Sequence, residues 1–268
     1  NRIQKVVGGD FSELMVGNVH RFCSKFLFEQ GRIPADSAII DDEEAVSIIA
    51  DYRNEDEEGV TRDFNRYKGY QTIIFFQHFI YQLEHHHPWK YYLHPESFTD
   101  GDREAIKHIC GSQKIDYNEQ AVVNIYRHAQ EYMDEANAPG LDAKLADRIR
   151  VLLWKMCYAG CYARYKEENH LFDFEDLLLF TYDIYRSDPS CKRYPWIQVD
   201  EVQDLNGMQL AIIDLLTAED NPMVMYLGDE QQAIFSFMGA KVETLTLLKM
   251  RCKGNIHHLQ RNHRSPKY

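Results

Sequence analysis

The chain has 268 residues, 44% of them hydrophobic and 27% charged, enough for one large domain or two ordinary ones with packed cores. Its net charge of −12 excludes a uniformly basic nucleic-acid coat, and no apolar run approaches the roughly 20 residues that span a bilayer. No signal peptide is evident, and six scattered cysteines without a C-x-x-C pair fit a reducing, cytoplasmic compartment, with most thiols in core positions.

The charge is uneven. Residues 36–63 hold eleven Asp/Glu against Arg53 and Arg62, whereas the last 28 residues hold seven Lys/Arg against Glu243 alone. A local groove for phosphate is therefore compatible with the overall sign. The chain starts at Asn1 and ends on a basic run, which suggests a piece of a longer protein.

Taken in order, Arg21 to Gln30 has helical spacing, with Phe22, Phe26 and Leu27 as its apolar stripe, and Gly31 and Pro34 break it. From about Asp36 to Asn169 the periodicity is almost entirely helical, without strand-like alternation, which predicts a separate helical subdomain. Asp41 to Glu44 reads as an acid-rich first turn, favourable to the helix dipole. Asp56 to Gly59 reads as a solvated loop. Further helices are predicted over Asp63–Glu84, Glu119–Ala136 and Leu141–Glu168, the last turning Leu145, Ile149, Leu152, Met156 and Ala163 to one side. Asp173 is placed to cap a helix running through Tyr185.

Two short apolar runs follow, Trp196–Val199 and Met223–Leu227, each too short for a helix and suited to a buried strand. Between them Gly207 to Thr217 has helical spacing, so the two strands should be parallel and near neighbours. In open parallel sheets ligands sit beyond the carboxyl ends of strands. Here those ends carry Asp200, Glu201, Asp204 and Asp229, a placement suited to a metal–phosphate site. An acidic strand end opening a solvated turn is the plain alternative for Asp200-Glu201 alone. A helix over Val242–Met250 and a third short strand over Ile256–Leu259 complete the pattern. The His85-His86-His87 run is read as solvated or capping rather than metal-binding, and His257-His258 as structural.

Five segments then carry a specific resemblance. Asp200-Glu201-Val202-Gln203-Asp204 resembles the DExQD motif of the UvrD/Rep family of superfamily 1 DNA helicases, and Gly228-Asp229 through Gly239-Ala240 resembles its GDxxQSIYxWRGA motif. Leu259 to Ser265 is similar to its LxxNYRS motif, Asn18 to Cys23 to its TFHSFC segment, and Asp173 to Leu178 to its DFDDLL segment. The resemblance implies an α/β fold: a partial P-loop-NTPase (RecA-like) parallel sheet with an inserted all-helical subdomain. It divides the chain into a first motor domain (1–36 and 170–262), a helical insertion (37–169) and the start of a second motor domain (263–268).

The resemblance also implies roles. Asp200 would hold Mg²⁺, Glu201 would activate the hydrolytic water, and Gln232 and Arg264 would reach the γ-phosphate of ATP. His263 would stack on adenine, and Asn18, His20, Phe235 and Phe237 would line the path of single-stranded DNA. The implied activity is ATP-dependent 3′-to-5′ translocation on single strands and unwinding of forked DNA. Asn18 stands where the family has Thr, Met238 where it has Arg, and His263 where it has Tyr. No G-x-x-x-x-G-K-[ST] loop occurs and only 17 residues precede Asn18, so the chain by itself is expected to lack ATPase activity. Other readings of the same residues are a helicase–nuclease subunit, a non-catalytic DNA- or protein-binding module, and a metal nuclease using Asp200, Asp204 and Asp229.

Overall fold

Helix capping written into the sequence sets most element starts. The computed structural model describes residues 14–53, 69–87, 99–229, 248–252 and 254–259, and these fall in two compact units that divide after Pro189. In the first unit α1 (Val19–Glu29) starts where Asn18 Oδ1 accepts the Arg21 N–H at 2.8 Å. Strand β1 (Ala38–Ile39) leads to α2 (Asp42–Arg53), whose first turn is closed by Asp41 and Glu44 in reciprocal side-chain-to-backbone bonds. Then come α3 (Gly69–Glu84), α4 (Asp100–Gln113), α5 (Glu119–Arg127), a 3₁₀ segment (Glu131–Asn137) and α6 (Ala143–Glu168). Strand β2 (Leu171–Phe172) and α7 (Phe174–Ser187) finish the unit.

At 26 residues α6 is roughly 40 Å long. Its buried stripe of Ile149, Leu152, Leu153, Met156, Ala159 and Tyr162 is the axis on which α2, α3, α4 and the 3₁₀ segment pack. One hydrophobic core runs from Ile40 to Tyr162 and takes in Phe76, Ile80, Ile106, Ile109 and Ile125. Each such fully buried aliphatic side chain contributes about 1.5–3 kcal/mol. Helices α1 and α7 pack on each other instead, with Phe26 and Tyr185 rings 4.8 Å apart and Cys23 buried. Burial pushes the Cys23 thiol up to about 12, so it is an inert core group.

The second unit contains β3 (Trp196–Val199), a 3₁₀ turn (Val202–Asp204), α8 (Gly207–Leu216) and β4 (Met223–Tyr226). The strands are parallel and paired in register from Trp196↔Met223 to Val199↔Tyr226, as the strand–helix–strand pattern requires. Asn206 and Gln209 form the capping box that starts α8.

Three expectations need correction. The 36–169 stretch holds a strand after all, because β1 pairs parallel to β2 through Ala38↔Leu171 and Ile39↔Phe172; two residues are too few for alternation to show. The predicted Glu119–Ala136 helix stops at Arg127, since Ala129 and Ala136 turn inward and the chain tightens to 3₁₀ geometry against α6. Residues 255–259 form no strand: Leu259 is 94% exposed and finds no paired neighbour among the described residues. The Asp56–Gly59 loop and most of the Val242–Met250 helix lie outside the described residues. No helix among the described residues is long and apolar enough to cross a membrane.

Candidate functional site

The second unit brings the two acidic strand ends together. Leu227 N–H donates to the Val199 carbonyl at 2.8 Å and Val202 N–H to the Leu227 carbonyl at 3.0 Å, so the chain leaving β3 is tied to the chain leaving β4. Between these bonds Glu201 adopts left-handed backbone, φ 51° and ψ 43°. A non-glycine residue held there carries local strain, which concentrates at functional positions. The kink turns Val202 and Gln203 inward and leaves Asp200 and Glu201 exposed.

Gln203 is the joint. Its side chain is buried; Nε2–H donates to Glu201 Oε2 at 2.6 Å, and Oε1 accepts the Asp229 backbone N–H at 3.1 Å. A backbone N–H only donates, so Oε1 must face Asp229 and the amide nitrogen must face Glu201. Gly228 makes the approach possible: a Cβ there would lie 2.6 Å from Gln203 Oε1 and 2.7 Å from Val202 Cγ1. The sequence motif contained Gln203 but gave it no role; its signal was a polar residue two positions past the acidic pair, inside the 3₁₀ turn.

Asp200 Oδ1 accepts the Glu201 N–H, and neither carboxylate makes an ion pair among the described residues. Exposed carboxylate oxygens at a strand end are the hard donors that Mg²⁺ takes. In the same turn Asp204 Oδ1 is buried without a hydrogen-bond partner among the described residues. Carboxylate oxygens of this kind are the chemistry a divalent cation takes.

In the first unit Asn18 and His20 sit at the start of α1. The Asn18 oxygen is committed to the helix cap, which leaves its NH₂ as the part able to meet a phosphate. Burial lowers the His20 pKa, so the ring is neutral near pH 7, and it meets Phe174 edge-on at 5.7 Å. Phe174 is 47% exposed. Gln232, Phe235, Phe237, His263 and Arg264 lie outside the described residues.

A second acidic cluster in this unit was not foreseen from the sequence. Asp173 and Asp176 close a capping box at the start of α7, as the Asp173 N-cap required, but both are buried. Lys166 Nζ of α6 lies 2.6 Å from Asp173 Oδ2, 2.5 Å from Asp176 Oδ2 and 3.1 Å from Gln77 Oε1. His78 Nε2 of α3 lies 3.1 Å from Asp173 Oδ1 and 3.4 Å from Asp176 Oδ1, and Tyr162 OH donates to Asp173.

Burial disfavours charge on Asp173, yet the neighbouring His78 and Lys166 hold its pKa well below the usual carboxylate range. Burial likewise opposes charge on His78, but Asp173 and Asp176 outweigh it and raise the imidazole to about 9. His78, Asp173 and Asp176 are close enough to share a metal ion. The Lys166 ammonium already lies on the carboxylate oxygens, so the resident cation is a lysine. The signal for it was a charge on the apolar stripe of α6, four residues after Tyr162.

His87 also departs from its expected solvated or capping role. It is buried, with Nε2 2.6 Å from Asp183 Oδ1, and Tyr81 OH donates to the other oxygen of Asp183. His257 and His258 are exposed.

Residues 1–253 match the family described as the UvrD/REP helicase N-terminal domain. The ATP-dependent DNA helicase PcrA of Leuconostoc citreum is 26% identical over 55% of this chain and 20% of its own length. PcrA of Staphylococcus aureus is 26% identical over 62% of the chain and 23% of its own length. The ATP-dependent DNA helicase srs2 of Schizosaccharomyces pombe is 33% identical over 37% of the chain and 11% of its own length. The chain thus spans less than a quarter of each of these relatives. The acid-terminated parallel strands and the match across nearly its whole length agree: this chain belongs to the UvrD/REP helicase family.

Proposed function

We propose that the chain is part of an ATP-dependent 3′-to-5′ DNA helicase that couples ATP hydrolysis to movement on single-stranded DNA and opening of forked duplexes. The observation that carries this is the joined pair of strand ends, where Gln203 fixes Glu201 against the Asp229 turn at 2.6 and 3.1 Å. Mg²⁺, held by Asp200, would supply charge neutralisation on the nucleotide phosphates. Glu201 is exposed and oriented by an amide donor, the arrangement of a carboxylate that accepts a proton from an attacking water. Gln232 and Arg264 would meet the γ-phosphate and His263 the adenine, while Asn18, His20, Phe235 and Phe237 would contact the strand.

The first unit supports the domain reading. One core spans Ile40 to Tyr162, inside the proposed 37–169 insertion, whereas α1 and α7 pack together as parts of the first motor domain. A nuclease reading would need Asp200, Asp204 and Asp229 to converge on one metal. Gln203 instead takes the Asp229 backbone to Glu201, which favours the ATPase arrangement.

Turnover of ATP tests the assignment. In the longer helicase this function requires, Glu201→Gln should retain ATP binding and lower turnover by roughly 10²–10⁴-fold; unchanged turnover would sink the role given to Glu201. The chain alone should hydrolyse no ATP. Magnesium-dependent turnover by the chain, abolished by the same substitution, would overturn that expectation.

A further inference from the structure

The acidic pair of the DFEDLL segment points inward, and its exposed neighbour Phe174 points out. Asp173 and Asp176 are 8% and 5% exposed, while Phe174 between them is 47% exposed and carries His20 against its ring. The turn that presents Phe174 is therefore fixed from beneath by side chains of two other helices. Lys166 comes from the end of α6, seven residues back, and His78 from α3, 95 residues back. With both cations charged, the cluster is neutral.

We infer that Lys166 and His78 are positioning residues: two buried cations that balance Asp173 and Asp176 and so hold Phe174, and His20 against it, in one place for a nucleobase of single-stranded DNA. The inference rests on the proposed single-strand contact at His20. Physically it follows from how buried charges behave. A carboxylate removed from water without a partner costs several kcal/mol, so the α7 N-terminal turn keeps its place only while both cations stay. Because the two acids also cap α7 reciprocally, losing either cation perturbs the first turn of the helix itself. An uncharged cluster of the same shape would still place Phe174, whereas a charge-imbalanced one would not. Bulk packing alone predicts no such distinction.

The distinction is testable with the whole chain and a fluorescent oligothymidylate of about 20 nucleotides. Equilibrium affinity is measured for wild type, His20→Ala, Lys166→Met and the charge-balanced double variant Lys166→Met/Asp176→Asn, each well below its own thermal midpoint. The expected result is a loss of about fivefold or more for His20→Ala, as for one lost base-stacking contact. Lys166→Met should lose about as much, and the double variant should regain most of it. Should Lys166→Met not fold, recovery of folding and affinity in the double variant supports the positioning role equally.

Affinity of Lys166→Met equal to wild type, or a double variant no better than the single one, overturns the positioning role while leaving the His20 contact standing. No affinity in the wild-type chain, or none lost in His20→Ala, removes the His20 contact itself and the inference with it.

Discussion

Two carboxylate clusters in this chain have opposite solutions to the same electrostatic problem. At the start of α7, Asp173 and Asp176 are buried and matched by Lys166 and His78. Beyond β3, Asp200 and Glu201 are exposed and have no basic partner among the described residues. The first has committed its charge to holding three helices together; the second keeps its charge available for something outside the chain. An acidic motif is thus identified by what neutralises it rather than by its acids. The DFEDLL and DEVQD segments are both acidic as sequence, yet one caps a helix over buried cations and the other ends a strand with its acids in the open.

The comparison breaks most visibly on stability. Lys166→Met strands two buried carboxylates against one cation and should cost about 3–5 kcal/mol, read as a lowered denaturant midpoint. Asp200→Asn, at an exposed position, should move the same midpoint by no more than about 0.5 kcal/mol. Comparable losses at both sites would mean that the strand-end cluster is also structural.

Titration sharpens the contrast. His78 meets Asp173 and Asp176 of α7 and feels the charge of Lys166 of α6; Tyr162 and Gln77 join the cluster through Asp173 and Lys166, and Asp42 of α2 acts on Tyr162. Its pKa is raised in the folded state to about 9 from 6.5. A group with a raised folded pKa contributes stability that is fully present below pH 6.5 and is lost as pH rises through 9. Stability should therefore fall between those limits by up to a few kcal/mol. In His78→Gln that fall should vanish, leaving a flatter and lower profile. A wild-type profile equally flat over this window would show that His78 is neutral in the fold.

What the sequence showed and hid follows the same physical line. Local features were legible: the acid-terminated strands at Val199 and Tyr226, the cap at Asp173, and the apolar stripe of α6. Each depends on residues within a turn or two. The pairing of His78 with Asp173 was not legible, because nothing within a helix of aromatic neighbours marks a histidine as partner to an acid 95 positions on. Nor was the end of α5 at Arg127, where no glycine or proline intervenes and packing of Ala129 and Ala136 decides. Half of the proposed nucleotide site was legible only as motif: Asp200 and Glu201 have a described geometry, whereas Gln232, His263 and Arg264 rest on resemblance.

The strand-end cluster has its own weak point, and the effect there should be smaller. Gly228 has no conformational need to be glycine from a positive φ; what it lacks is room. An added methyl would meet Gln203 Oε1 at 2.6 Å and Val202 Cγ1 at 2.7 Å, both on buried side chains. Something must shift, and the Gln203 amide, the far end of a flexible side chain, gives way more readily than the short, β-branched Val202. Gly228→Ala should therefore cost about 1–3 kcal/mol as overpacking. It should also separate Gln203 from the Asp229 N–H and release Glu201 from its donor. Hydrogen exchange at the Asp229 amide reads this directly: it should quicken in Gly228→Ala and also in Gln203→Ala, which removes the acceptor without the crowding. If exchange quickens only in the crowded variant, Gln203 is not what holds the two strand ends in register, and Glu201 is oriented by the strained backbone alone.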